Sequence, residues 1–250
     1  MRENALILIA AIMPAACPAA ETLDNDDWSA HVQATYIWQD KPAFPSAYSG
    51  PNSLSSFPEQ SHTASGTLYL GVRPWQDGEI YLNIEAAQGV PFSSSLTGLA
   101  GFTNGELSRA SGPQATLYRQ RLFLRQTWNL GNGMEKSPVS LNQMAGTIAN
   151  SRFVLTAGNF SVLDIFDNNA YAMDPRTQFV NWGAIASAAF DYPGDARGFG
   201  WGVAGEWYQE DWVLRFGRLT GPKEPNGASL DFRLLEHYGD EVELEHGHAL

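Results

Sequence analysis

The stretch from Trp28 to Trp38 most narrows what this chain can become. Trp28, Ala30, Val32, Ala34, Tyr36 and Trp38 fall on one side of an extended chain, with Ser29, His31, Gln33 and Thr35 on the other, because successive strand side chains point to opposite faces. The run exceeds the ~5–6 residues of an ordinary soluble strand and matches the ~9–11 residues with which a tilted strand crosses a bilayer. Its apolar face carries aromatics at both ends and small residues between, the distribution that interfacial aromatic girdles give an outer-membrane barrel.

The alternation recurs. Thr67 to Arg73 and Glu79 to Glu85 flank the turn Pro74-Trp75-Gln76-Asp77-Gly78, so a hairpin is expected. Its apolar face holds Leu68, Leu70, Val72, Ile80, Leu82 and Ile84. The opposite face holds Thr67, Tyr69, Arg73, Glu79, Tyr81, Asn83 and Glu85, too polar for a dry core and suited to a wet interior. A Gly-, Ser-, Thr- and Asn-rich segment from Gln88 to Gln114 follows as a long loop. In Leu117 to Trp128, strict alternation puts Tyr118, Leu122, Leu124 and Trp128 on one face and Arg119, Arg121 and Arg125 on the other, with Gln120 and Gln126 intruding on the greasy side. Further strands are expected at Arg152–Phe160, Gly198–Tyr208, Trp212–Leu219, Leu230–Leu235 and Val242–Leu244. The pattern is all-β and antiparallel, with no repeat or linker that marks a second domain.

The first residues, Met-Arg-Glu-Asn followed by an apolar run from Ala5 to Ala16 and then Cys17-Pro18-Ala19-Ala20, have the layout of a secretory signal. Residues 1–20 are therefore expected to be a signal peptide and 21–250 one barrel unit. The single cysteine, Cys17, lies in that segment, so an exported chain would hold no internal disulfide. Downstream there is no apolar stretch long enough for a spanning helix, so a membrane form must use strands. The net charge of −12 removes the electrostatic basis for binding nucleic acid.

Several segments resemble the carbohydrate-selective (OprB-type) porins. They are Lys41-Pro42-Ala43-Phe44 with Tyr48-Ser49-Gly50-Pro51-Asn52-Ser53-Leu54, Gly71-Val72-Arg73-Pro74-Trp75, and the run from Tyr118 to Trp128. The longest is Thr156-Ala157-Gly158-Asn159-Phe160-Ser161-Val162-Leu163-Asp164, continued by Asp174-Pro175-Arg176-Thr177-Gln178-Phe179. The resemblance implies a transmembrane β-barrel of about sixteen strands, a size that leaves an aqueous channel, through which sugars diffuse across a bacterial outer membrane without catalysis or cofactor. Only about nine or ten strands are expected here, and the final residues, His246-Gly247-His248-Ala249-Leu250, lack an aromatic-ended closing strand. The chain is thus expected to be the N-terminal portion of such a barrel.

For sugar recognition the residues of choice are Arg119, Arg121 and Arg125, since a planar guanidinium can donate several hydrogen bonds to vicinal hydroxyls. Glu79 and Glu85 would position them, with Tyr81 in the same lumen and Arg73, Arg215 and Glu206 in a second rank. The same charges could instead pair across the wall simply to relieve repulsion. Tyr69, Tyr81 and Phe123 could stack on pyranose rings. Val162 to Asn169 is read either as an inward fold that narrows the pore or as an ordinary outer loop. Carboxylate pairs such as Asp164 with Asp167 or Glu206 with Asp211, the Ser61-His62 pair, and His246 with His248 lack the partners that an enzyme or metal site needs, so no enzyme is expected. Two rivals stay open on the residues alone: a secreted β-sandwich that binds or hydrolyses polysaccharide, and a barrel that transports nothing. The oligomeric state is not legible.

Overall fold

The computed structural model describes residues 26–51, 53–94, 103–110, 112–131, 133–186 and 192–247; the expected signal peptide, Cys17 and His248 lie outside them. Among the described residues ten strands form: β1 Trp28–Lys41, β2 Glu59–Trp75, β3 Gly78–Val90, β4 Thr116–Asn129, β5 Met134–Ser137, β6 Gly146–Ala149, β7 Arg152–Phe160, β8 Gly200–Gln209, β9 Trp212–Thr220 and β10 Tyr238–His246. Eight make one antiparallel sheet in the order β1-β2-β3-β4-β7-β8-β9-β10, and β5 pairs with β6 in a separate ladder. Each sheet strand therefore pairs with its neighbour in the chain once the β5–β6 hairpin is set aside. Among the described residues the outer edges of β1 and β10 carry no further strand. No described helix is long and apolar enough to cross a membrane, a fact that says nothing of strands.

The long strands run past their clear alternation. β2 begins at Glu59, eight positions before Thr67, because its outward residues there, Gln60, His62, Ala64 and Gly66, lie beside the long-loop end, where an outward face need not be greasy. Leu230–Leu235 is not a strand. Asp231 binds both the backbone N–H of Arg233 (3.0 Å) and its guanidinium (2.6 Å), and such local bonds compete with a ladder. Only the isolated bridge between Pro222 and Leu230 remains. β5 and β6, four residues each, carry no alternation from which they could be read.

The sheet is inside-out by the standard of a soluble domain. On one face Val32 is 70% exposed, Leu117 72% and Val242 76%, while on the other Asn83, Glu85 and Gln120 are each 0% exposed. An uncovered apolar face of this extent marks a surface made for lipid or a partner. A β-sandwich would bury that face against a second sheet, and no such sheet exists among the described residues. At the end where β2 meets β3 and β8 meets β9, the outward face carries a row of exposed tryptophans, Trp28, Trp75, Trp128, Trp207 and Trp212. Tyr36, Trp38, Trp201 and Tyr238 occupy the opposite end of their strands, so aromatics flank an aliphatic band as in membrane barrels.

Connections follow the same polarity. The turns Gln76–Asp77 and Glu210–Asp211 lie at the tryptophan-rich end, whereas the connections 42–58, 91–115, 161–199 and 221–237 leave and re-enter the sheet at the other. Short turns at one rim and long loops at the other are a barrel trait. The exception is 130–151, a long connection at the short-turn end that contains β5 and β6.

Two connections turn into the concave side and build a small apolar core there. Val162, Ile165 and Phe166 pack with Met144 on Tyr81, Phe123, Phe160, Ala204 and Leu219. Of the two readings of 162–169, the inward fold is the one observed. Gly158 lets β7 lie flat beneath this core: its φ is +137°, and an added Cβ would sit 2.4 Å from the Leu122 carbonyl oxygen. Only glycine is at ease there.

Candidate functional site

The charged concave face starts with an irregularity in β4. Asn83 of β3 pairs with Arg121, but Ile84 pairs with Arg119, so Gln120 is an extra residue and a β-bulge. An extra residue reverses the facing of everything beyond it. Tyr118, expected on the greasy face, turns inward and donates its hydroxyl proton to Glu85. Gln120, also expected outward, is buried, donating from Nε2 to Glu85 Oε2 (2.7 Å) and accepting from the Arg121 guanidinium (2.5 Å). Arg119 is the correction: it is exposed on the outer face with its guanidinium 5.1 Å from the Trp201 ring, and does not share a face with Arg121 and Arg125. Gln126 does lie outward, where its Oε1 accepts the Trp75 indole proton (2.7 Å).

Toward the short-turn end Arg73, Glu79, Tyr81, Arg125, Glu206 and Arg215 converge. Glu79 holds Arg73 at 2.7 Å and Arg125 at 3.7 Å, and accepts the Tyr81 hydroxyl at 2.9 Å. The Arg125 guanidinium lies 5.4 Å from both the Tyr81 and Phe123 rings, within cation–π range. Facing this set across the concavity, Arg215 holds Glu206 (3.2 Å) and Glu243 (2.5 Å), and Arg152 stacks 3.7 Å from the Tyr208 ring centre. Tyr208 in turn donates to Glu206 (2.7 Å). A cavity of about 240 Å³ separates the two walls and is lined by Arg73, Glu79, Arg125, Arg152, Glu206 and Arg215 among others. Both walls thus alternate acid and base, and each guanidinium is held by a carboxylate or an aromatic ring beside it.

Glu85 does other work than positioning the strand arginines. It binds Arg176, which reaches it from the 161–199 connection, and lies 3.9 Å from Arg109 of the 91–115 connection. Glu106 completes the quartet, 3.0 Å from the Nε of Arg176 and 3.3 Å from Arg109. Burial alone would lower the Arg176 pKa, but Glu106 and Glu85 more than reverse that and hold it above its ordinary value. Arg121 likewise binds the 161–199 connection, gripping Asp164 with two bonds of 2.7 and 2.6 Å. Asp164 also accepts the Ser161 N–H (2.9 Å), capping its own short turn. Buried charges are tolerated when paired in this way, so the upper wall is a latch for inward loops.

Arg109, Glu106 and Arg176 were not nominated from sequence, and Asp164 entered only as a carboxylate weighed with Asp167. Arg176 and Asp164 sit inside the longest family-like segment and its continuation, which was the available signal. Asp174 accepts the Arg176 N–H (3.0 Å) and Gln178 Oε1 accepts the Met173 N–H (2.6 Å), so that motif is a turn built to aim Arg176. Tyr69, Tyr81 and Phe123 do lie on the concave face but are buried beneath the loops, at 5, 1 and 4% exposure, and offer no open ring for a sugar. His246 stacks on Trp212 at 4.1 Å on the outer face.

Long antiparallel strands, a lipid-type outer face and a charged concave face define the wall of a transmembrane β-barrel with a polar interior. The particular family follows from comparison: the model of the carbohydrate-selective porin, OprB family, matches residues 55–247, and the chain belongs to that family. Its members are porins of the bacterial outer membrane that take carbohydrates as substrates. No curated protein and no solved structure matches the chain.

Proposed function

We propose that this chain lines an outer-membrane pore through which sugars diffuse passively, with selectivity set by Arg73, Glu79 and Arg125 on one wall and Arg152, Glu206 and Arg215 on the other. The observation that carries this reading is their convergence on the same polar cavity of about 240 Å³, while the greasy face of the same strands points away. The guanidinium groups around that space donate to vicinal hydroxyls, and the carboxylates accept hydrogen bonds from sugar hydroxyls. Glu85, Tyr81 and Arg121 act behind this surface by fixing the loops and neighbouring side chains. Arg119 takes no part.

Single-channel conductance in a planar bilayer, with glucose titrated in, is the test. Conductance steps that glucose closes in a saturable way support the reading. A protein that stays soluble without detergent and conducts nothing refutes it.

A further inference from the structure

The connection 130–151 is the one long segment at the short-turn end, where two other links need only Gln76–Asp77 and Glu210–Asp211. Between β5 and β6 it turns into the concavity. Ser140 and Gln143 exchange backbone bonds of 2.9 and 3.2 Å, and Asn142 adopts φ +55° at the tip. Met144 behind the tip is 2% exposed. The segment is tied there by side chains of the wall. Arg125 donates to the Asn142 carbonyl (2.9 Å), Arg73 to the Ala145 carbonyl (3.4 Å), and the Tyr81 hydroxyl accepts the Met144 N–H (3.1 Å).

Its placement divides the interior. A cavity of about 380 Å³ toward the long loops touches Ser140, Leu141 and Asn142. The cavity of about 240 Å³ toward the short turns touches Gln143, Met144 and Ile148. Asp164, held by Arg121, borders both. The tip of one segment thus faces one chamber and its stem the other, with Asp164 shared by both.

We propose that residues 138–148 form a selectivity strap, entering from the short-turn side, which together with the Arg121–Asp164 pair sets the size of sugar that passes between the two chambers. This rests on the pore reading above. It gives Arg73, Arg125 and Tyr81 a second task as positioning residues, since their bonds to strap backbone hold the strap in place.

The test uses the full chain in planar bilayers, with glucose and a trisaccharide as blockers. Replacing residues 139–144 by a short Gly-Ser-Gly link is expected to raise conductance severalfold and erase the difference between the two sugars. In a Cys17→Ser background, Gln143→Cys treated with thiol reagents of increasing bulk is expected to lose conductance in steps that follow reagent size. The second arm decides alone if the replaced chain does not insert. A replaced strap that leaves conductance and sugar discrimination at parental values, or a bulky adduct at position 143 that changes neither, overturns the strap. A parent chain that stays soluble without detergent and gives no steps overturns the pore reading and the strap with it, a result distinct from either.

Discussion

At the scale of residues, Gln120 shows where alternation stops being a reliable guide. A polar side chain on the greasy parity of Leu117–Trp128 was visible in the sequence, and so was Gln126. One is resolved by a bulge that turns it inward and the other by a bond to the Trp75 indole. Nothing in the residue order separates the two cases, because a bulge is decided by the partner strand and by what Glu85 can accept. Side chains on one wall were legible by counting in twos; Arg109, Glu106 and Arg176 arrive from loops, whose reach no local pattern encodes. Two outcomes follow. Arg125→Ala weakens glucose block by about tenfold, equal to ~1.4 kcal/mol, whereas Arg119→Ala leaves it at the parental value; titrated block of single channels measures both. Glu85→Leu strands Arg176 beside Glu106 alone and costs about 3–5 kcal/mol, the usual loss when one partner of a buried pair is removed, read as a shift in the urea midpoint of lipid-refolded protein.

At the scale of elements, each strand serves two solvents at once, and substitutions divide by parity. Leu82 lies outward in β3, paired with Leu70 and Leu122. Leu82→Arg costs about 2–4 kcal/mol if it sits near the bilayer midplane, seen as a reduced folded fraction in lipid vesicles. Gly158→Val meets the Leu122 carbonyl and a positive φ together, so β7 cannot lie against β4; the expected result is failure to reach the folded band in a heat-modifiability gel. Strand positions were readable wherever a greasy face demanded them. The upper half of β2 and all of β5 and β6 were not, since outward residues near a rim, or in a ladder off the main sheet, escape that demand.

At the scale of the whole molecule, the row of Trp28, Trp75, Trp128, Trp207 and Trp212 on the outer face sets how the sheet sits in a bilayer. Lipids brominated near the headgroup are expected to quench tryptophan fluorescence more strongly than lipids brominated at the chain ends, in vesicles carrying the refolded protein. Equal quenching would remove the girdle. The two chambers inside carry a kinetic consequence. A solute crossing them waits twice, and the slower exit governs its transit. Flux through such a path levels off as the outer solution grows richer, and an unlike sugar parked in the first chamber delays those queued behind it, so that mixtures cross more slowly than their separate rates would predict.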